Sequence, residues 1–117
     1  MRRVLHYVPD AARALAEARD RGAPAHLVGP VTSKVHALEA IGAALSFPDW
    51  YGRNLDALYD CLVDLSWQPR GEHVLVWAGH RQLEVADPEG YRAVLAVLDD
   101  AATAGVGRPL SVVLADE

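Results

Sequence analysis

Apolar residues recur at helical spacing in several segments of the chain, and short continuous apolar runs lie between them. The sharpest stripe is typical of a helix that buries one face, and it consists of Leu55, Leu58, Leu62 and Leu65. Asn54 directly precedes this stripe, where its side-chain oxygen can accept an unpaired backbone N–H of the first helical turn. The pattern therefore predicts a capped helix that begins at Leu55.

The same reasoning predicts the other elements. The further helices are one that starts at Pro9 and Asp10 and ends at Gly22, one capped by Thr32 or Ser33 that runs through Ala44, a short stretch from Gln82 to Val85, and one that starts at Asp87 and Pro88 and ends at Gly105. In the first of these, the apolar positions are Ala12, Leu15, Ala16 and Ala18. Apolar runs predict strands at 25–29, 73–77 and 110–114, and 4–8 is either a short strand or an irregular lead-in.

Strands that alternate with helices indicate a small α/β fold with parallel crossover connections. A chain of 117 residues fits a single domain, 1–117, with one core. Residues 1–24 add an N-terminal helical segment to this domain, and the sequence assigns them no functional role.

Three aspartates, Asp56, Asp60 and Asp64, form a second stripe almost opposite the leucines. Like charges at this spacing destabilise a helix by roughly 0.2–0.5 kcal/mol per pair, and no Lys or Arg lies three or four residues from the last two aspartates. One interpretation of the stripe is a solvated helix face. The other is a surface that meets a positively charged partner, next to the aromatic residues Trp50 and Tyr51.

The net charge of −5 argues against a general binder of nucleic acids or anionic membranes and is compatible with a basic protein partner. The single cysteine, Cys61, excludes an internal disulfide and a cysteine-based zinc cluster, and no two histidines show metal-ligand spacing. We therefore expect no metal and no cofactor. Neither a signal peptide nor a membrane-spanning run is visible, so we expect a cytoplasmic protein.

An enzymatic function is an alternative that rests on few residues. His80 lies between a predicted strand and a predicted helix, a position typical of α/β active sites, although a surface-loop histidine is the simpler interpretation. Asp56 and Asp60 could act as an acid–base pair, but aspartates on a solvated helix face seldom have shifted protonation. A small α/β enzyme is therefore only an alternative.

The segment Tyr51-Gly52-x-Asn54-Leu55-Asp56-Ala57-Leu58-x-Asp60-Cys61-Leu62 resembles the signature of the barstar family, intracellular inhibitors of a secreted bacterial ribonuclease. A weaker resemblance in the order of elements extends from about Ala25 to Leu114. The resemblance implies a barstar-like α/β fold with a three-stranded parallel sheet packed with helices. It also implies a cis peptide bond between Gln68 and Pro69.

The resemblance further implies a function. The chain would inhibit a basic, extracellular-type microbial ribonuclease in a one-to-one complex, and would be a monomer when free. In such inhibitors the acidic helix and the loop before it block the active site, with carboxylates in the places of RNA phosphates. The partner-binding residues that we predict are Trp50, Tyr51, Gly52, Asn54, Asp56, Tyr59, Asp60, Asp64 and Asp100. No catalytic residue is expected.

The chain departs from the family pattern at the edge of this surface. Asp100 takes the place of a glutamate and is one methylene shorter, Ala104 replaces another acid, and Arg53 stands where the family has an acid. These departures affect which enzyme the chain would bind more than they affect how it would inhibit that enzyme. The alternative within the same fold is an antitoxin or immunity protein for another basic toxin.

Overall fold

A computed structural model describes residues 5–104 and 108–117, and it shows a parallel sheet with helices on both faces. In chain order the elements are β1 Leu5–Val8, α1 Ala11–Asp20, β2 Ala25–Val28, α2 Lys34–Ala44, α3 Leu55–Asp64, β3 His73–Ala78, α4 Arg81–Ala86, α5 Pro88–Ala104 and β4 Leu110–Ala115. This confirms the α/β fold class. The predicted end of the last helix, Gly105, lies outside the described residues.

The sheet has four strands in the order β1-β4-β3-β2, and every neighbouring pair is parallel. The central strand β3 is an unbroken run of buried side chains from His73 to Trp77, as expected for a parallel strand covered on both faces. The prediction of three strands was one too few, because Leu5–Val8 pairs with β4 as an edge strand. The same strand resolves the ambiguity at 4–8 in favour of a strand.

Helices α2, α3 and α5 cover one face of the sheet and form the larger core with it. Ser33 caps α2 by accepting the His36 backbone N–H at 3.1 Å, and Asp87 accepts the Gly90 N–H at 3.0 Å at the start of α5. These caps lie where the sequence places them. The loop before α3 and the start of α3 therefore lie on this face.

Helix α1 covers the other face with small side chains, Ala11, Ala14 and Ala18, which pack on Val74 and Val76. Its N-cap is Asp10, whose Oδ1 accepts the Ala12 N–H at 2.9 Å. The predicted apolar positions Ala12 and Ala16 were wrong, since both are exposed. Alanine is only weakly hydrophobic and occurs on several sides of this helix. The sequence pattern therefore does not single out which face is buried.

The peptide bond between Gln68 and Pro69 is trans. No peptide bond among the described residues is cis, so the predicted cis bond before Pro69 is wrong. Within the same residues no helix has both the length and the apolar composition needed to cross a membrane.

Candidate functional site

The acidic helix α3 is capped at both ends. Asn54 has an extended backbone, and its Oδ1 accepts the Ala57 N–H at 2.8 Å, which confirms the predicted N-cap. At the other end Leu65 adopts the left-handed conformation with φ 47°, and its N–H donates to the Cys61 carbonyl oxygen at 3.1 Å. In the leucine stripe of α3, Leu55 is partly buried and the other three leucines are fully buried, so rotation of the helix would expose them. The opposite face is therefore held toward solvent.

Three carboxylates occupy that outer face. Asp56, Asp60 and Asp64 are all exposed, and no cation in the described part of the chain forms an ion pair with them. Asp64 Oδ2 accepts a hydrogen bond from Ser66 Oγ at 3.0 Å. Among the described residues, no positive charge thus offsets the repulsion between these carboxylates. A cationic partner would relieve it.

The loop between α2 and α3 exposes one aromatic ring and buries another. Trp50 is 67% exposed, whereas Tyr51 is only 8% exposed. The Tyr51 hydroxyl donates to the Leu38 carbonyl oxygen at 3.0 Å, and its ring packs edge-to-face with Phe47, with centroids 4.8 Å apart. Burial raises the pKa of Tyr51 to about 12, so the hydroxyl keeps its proton. Tyr51 was predicted as a partner contact, but its ring lies beneath the loop and anchors it.

A second layer of residues supports this anchor. A Cβ atom at Gly42 would lie 2.8 Å from Cε2 of Tyr51, so only glycine leaves room for the ring. Trp67 Nε1 and Gln68 Nε2 both donate to the Leu45 carbonyl oxygen, at 2.9 and 2.7 Å. Sequence reasoning did not identify Gly42, and the available signal was a glycine inside a helical apolar pattern.

Gly52 and Arg53 shape the entry into α3. A Cβ at Gly52 would lie 3.1 Å from Nδ2 of Asn54, and would press on the residue that caps the helix. Arg53 has φ 53°, in the left-handed region, and its Nε lies 3.9 Å from Glu39 Oε2 in α2. The one cation of this loop is therefore paired with α2 and leaves the aspartate stripe uncompensated.

The remaining predicted residues, Tyr59 and Asp100, differ in burial. Tyr59 on α3 is half-buried against the core, and Asp100 on α5 is exposed. Ala104 is also exposed and adds no charge. Because α3 and α5 pack together on one face of the sheet, Asp100 belongs to the same side of the molecule as the stripe.

The thiol of Cys61 does not contribute a reactive group to the surface. Cys61 is buried, and burial raises the pKa of its thiol, with the Asp60 and Asp64 carboxylates raising it further. A thiol in such surroundings stays protonated at neutral pH and is a weak nucleophile.

His80, the basis of the enzymatic alternative, is fully buried. Its Nδ1 lies 2.6 Å from the Tyr91 hydroxyl oxygen, and its Nε2 lies 3.8 Å from Oδ1 of Asp116. Burial lowers the pKa of His80, and the Arg81 charge lowers it further. A ring without exposed surface has no route to a substrate, so these contacts favour a structural role. Across residues 5–104 and 108–117, no group of three or more His, Cys, Asp or Glu side chains could hold a metal ion.

Fold and surface together define a class of protein: a small parallel α/β domain that exposes an acidic helix face and, in the loop before that helix, a tryptophan ring. Residues 25–115 match the family model described as Barstar (barnase inhibitor), and the chain belongs to this family. The match confirms the resemblance that was drawn from residues 51–62.

A curated protein of Bacillus subtilis (strain 168), "Putative ribonuclease inhibitor YrdF", shares a short stretch with this chain. The two are 79% identical over 19 residues, which are 16% of this chain and 21% of the relative. The chain therefore spans about a fifth of the length of the relative that it matches.

Proposed function

We propose that this chain inhibits a basic microbial ribonuclease by binding it one to one and covering its active site. The family and the name of the Bacillus subtilis relative support a role of the ribonuclease-inhibitor type. The observation that carries the proposal is the row of exposed aspartates on α3, which no described cation neutralises. A row of this kind destabilises the free helix, and its benefit is realised when a cationic surface meets it.

The proposed mode of inhibition is charge mimicry. An enzyme that cleaves RNA presents cations where phosphates bind, and the carboxylate of Asp60, central in the stripe, would occupy such a position with Asp56 beside it. The caps and buried leucines of α3 fix the backbone that carries these carboxylates before binding, so less conformational entropy is lost in the complex. The exposed ring of Trp50 would cover the border and exclude water around the charges.

Two further statements belong to the proposal. The free inhibitor is a cytoplasmic monomer, and its own chain performs no catalysis. An antitoxin or immunity protein for another basic toxin would use the same acidic surface, and the two functions differ in the enzyme that is blocked.

Titration of a purified basic ribonuclease of the guanyl-specific type tests the proposal. We expect RNA cleavage to fall linearly with added inhibitor and to end at one molar equivalent. Asp60→Ala removes one charge from α3 and should shift the titration strongly. Asp20→Ala removes one charge from the exposed end of α1, on the other face of the sheet, and should leave the titration unchanged. Full ribonuclease activity in a molar excess of inhibitor would contradict the proposal and favour a different basic toxin.

A further inference from the structure

His26 of β2 and His73 of β3 lie side by side at the end of α2, and each ring is within hydrogen-bonding distance of the other and of one backbone carbonyl oxygen. His26 Nδ1 lies 3.2 Å from the Ala44 carbonyl oxygen, and His26 Nε2 lies 3.0 Å from His73 Nδ1. His73 Nε2 in turn lies 2.7 Å from the Pro69 carbonyl oxygen. The His73 ring is fully buried and the His26 ring is half-buried. Four polar groups therefore meet in a row with a carbonyl oxygen at each end.

The number of protons in this row follows from its geometry. A carbonyl oxygen only accepts, so each outer ring nitrogen must carry a proton. Two neutral imidazoles have one N–H each, and both are then used at the ends of the row. The two inner nitrogens would face each other at 3.0 Å with lone pairs, and one additional proton between them completes an N–H···N bond. A second additional proton would set two N–H groups head to head.

We propose that His26 and His73 take up a single proton as one unit, and that this proton fastens the end of α2 and the turn after α3 to the sheet. Ala44 is the last residue of α2, and the next residue, Leu45, accepts the hydrogen bonds of Trp67 and Gln68. The row thus lies at the base of the loop that presents Trp50. It forms a pH-sensitive support for that loop, whichever partner the loop binds.

The surroundings favour one positive charge on the pair. The carbonyl end of α2 attracts a cation. Glu72, the neighbour of His73 in sequence, is bonded to Arg21 and Ser111 on the opposite face of the sheet, and Arg108 donates to the Gln68 carbonyl oxygen in the adjoining turn. Other titratable groups on the adjacent elements form no described hydrogen bond or ion pair with either ring: Lys34, His36, Glu39, Cys61, Asp64 and Arg70.

Burial and the neighbouring ring disfavour a second proton on the His26–His73 pair. Burial lowers the pKa of His26, and the adjacent His73 ring lowers it further, against a smaller opposite effect of the Ala44 carbonyl group. In the unfolded chain His26 becomes charged below about pH 6.5. The folded state then binds fewer protons than the unfolded state, so stability falls as the pH falls through this range.

An NMR titration of the intact protein labelled with ¹⁵N-histidine tests the proposal without a mutation. We expect the ring signals of His26 and His73 to move in one shared step that amounts to one proton. The exposed His36 serves as an internal reference. Two full steps, one for each ring, with a native backbone spectrum would overturn the proposal. Two rings that do not titrate while the chain stays folded would overturn it as well.

A variant provides an independent test. In His26→Gln, the amide can donate to neutral His73 or, after rotation, accept from charged His73, so the contact survives in either state. As the pH falls from about 6.5 to 5, the wild type should lose stability faster than this variant. For each pH unit, we expect its unfolding equilibrium constant to rise by a factor up to about ten times larger than the factor for the variant. His36→Gln should retain the wild-type dependence. The same dependence in all three proteins would overturn the proposal, and the NMR titration decides the case if His26→Gln does not fold.

Discussion

At the scale of single residues, two adjacent aromatic side chains have opposite roles. Trp50 points to solvent, whereas Tyr51 is buried and bonded to the backbone of α2. The sequence predicts that some ring of this loop is exposed, but it does not say which one. That choice depends on the space above Gly42, and this space exists only after α2 and the loop have packed together.

Tyr51→Phe should lower the free energy of unfolding by about 1 kcal/mol, because it removes the hydrogen bond to Leu38. A second effect depends on pH. The folded state raises the pKa of Tyr51 to about 12, above the ordinary value of about 10, so its contribution is complete below about pH 10 and is lost as the pH rises toward 12. Urea unfolding at neutral pH and near pH 11 measures both effects. The same alkaline loss in wild type and variant would contradict the second.

At the scale of elements, the sequence predicts α3 well and α1 poorly. Helix α3 has a capping side chain and a single leucine stripe, so both its start and its buried face follow from local rules. Helix α1 is rich in alanine, and its buried face is selected by the valines of the sheet beneath it. Local pattern therefore determines the acidic surface, and tertiary packing determines the layer on the other face.

Asn54→Ala should lower the free energy of unfolding by about 1 kcal/mol, since the Ala57 N–H loses its acceptor. The same variant should weaken ribonuclease binding, because fraying of the first turn moves Asp56. Ser33→Ala is the matched control: it removes the cap of α2, which bonds the His36 N–H, and it leaves the α3 surface intact. Thermal unfolding and binding of both variants separate the two effects. Equal binding losses would show that the cap acts through stability alone.

Gly42→Ala should destabilise the fold by about 1–3 kcal/mol, although alanine is the better helix former, because its Cβ collides with the Tyr51 ring. The displaced ring would shift the loop, so ribonuclease binding should fall without any change at the surface. Gly29→Ala is the control, since its Cβ would meet no atom within 4 Å. A Gly42→Ala variant with unchanged stability, tryptophan fluorescence and binding would show that the Tyr51 ring is not held by this contact.

At the scale of the whole molecule, the alternation of strands and helices sufficed to predict the α/β class, but not the fourth strand. The run Leu5–Val8 is short and only partly apolar, and it becomes a strand because β4 offers it an open edge. Residues 5–24 therefore complete the sheet and cover its second face. The pairing of β1 with β4 and the packing of α1 on β3 cannot be read from the sequence of residues 5–24 alone. Both depend on residues that are distant in the chain.

The net charge and the acidic stripe should make association depend on salt. We expect the association rate constant with a basic ribonuclease to fall steeply between low and physiological ionic strength, because screening weakens long-range attraction. Trp50→Ala should keep this salt dependence and mainly accelerate dissociation, since it removes contact area and no charge. Stopped-flow mixing measures both rates. An association rate constant that does not change with salt would exclude docking driven by charge.

The most direct test of the proposed function compares single truncations along α3. All three aspartates are exposed in the free protein, so their loss should leave thermal stability level or slightly raise it. In the complex Asp60 should be surrounded by the enzyme's cations, and Asp60→Ala should weaken binding by roughly 2–5 kcal/mol. Asp64→Ala, at the border, should cost about 1 kcal/mol or less, with Asp56→Ala between the two. Calorimetric titration of one ribonuclease with the three variants should give this order, and equal losses at all three positions would contradict the proposed docking of α3.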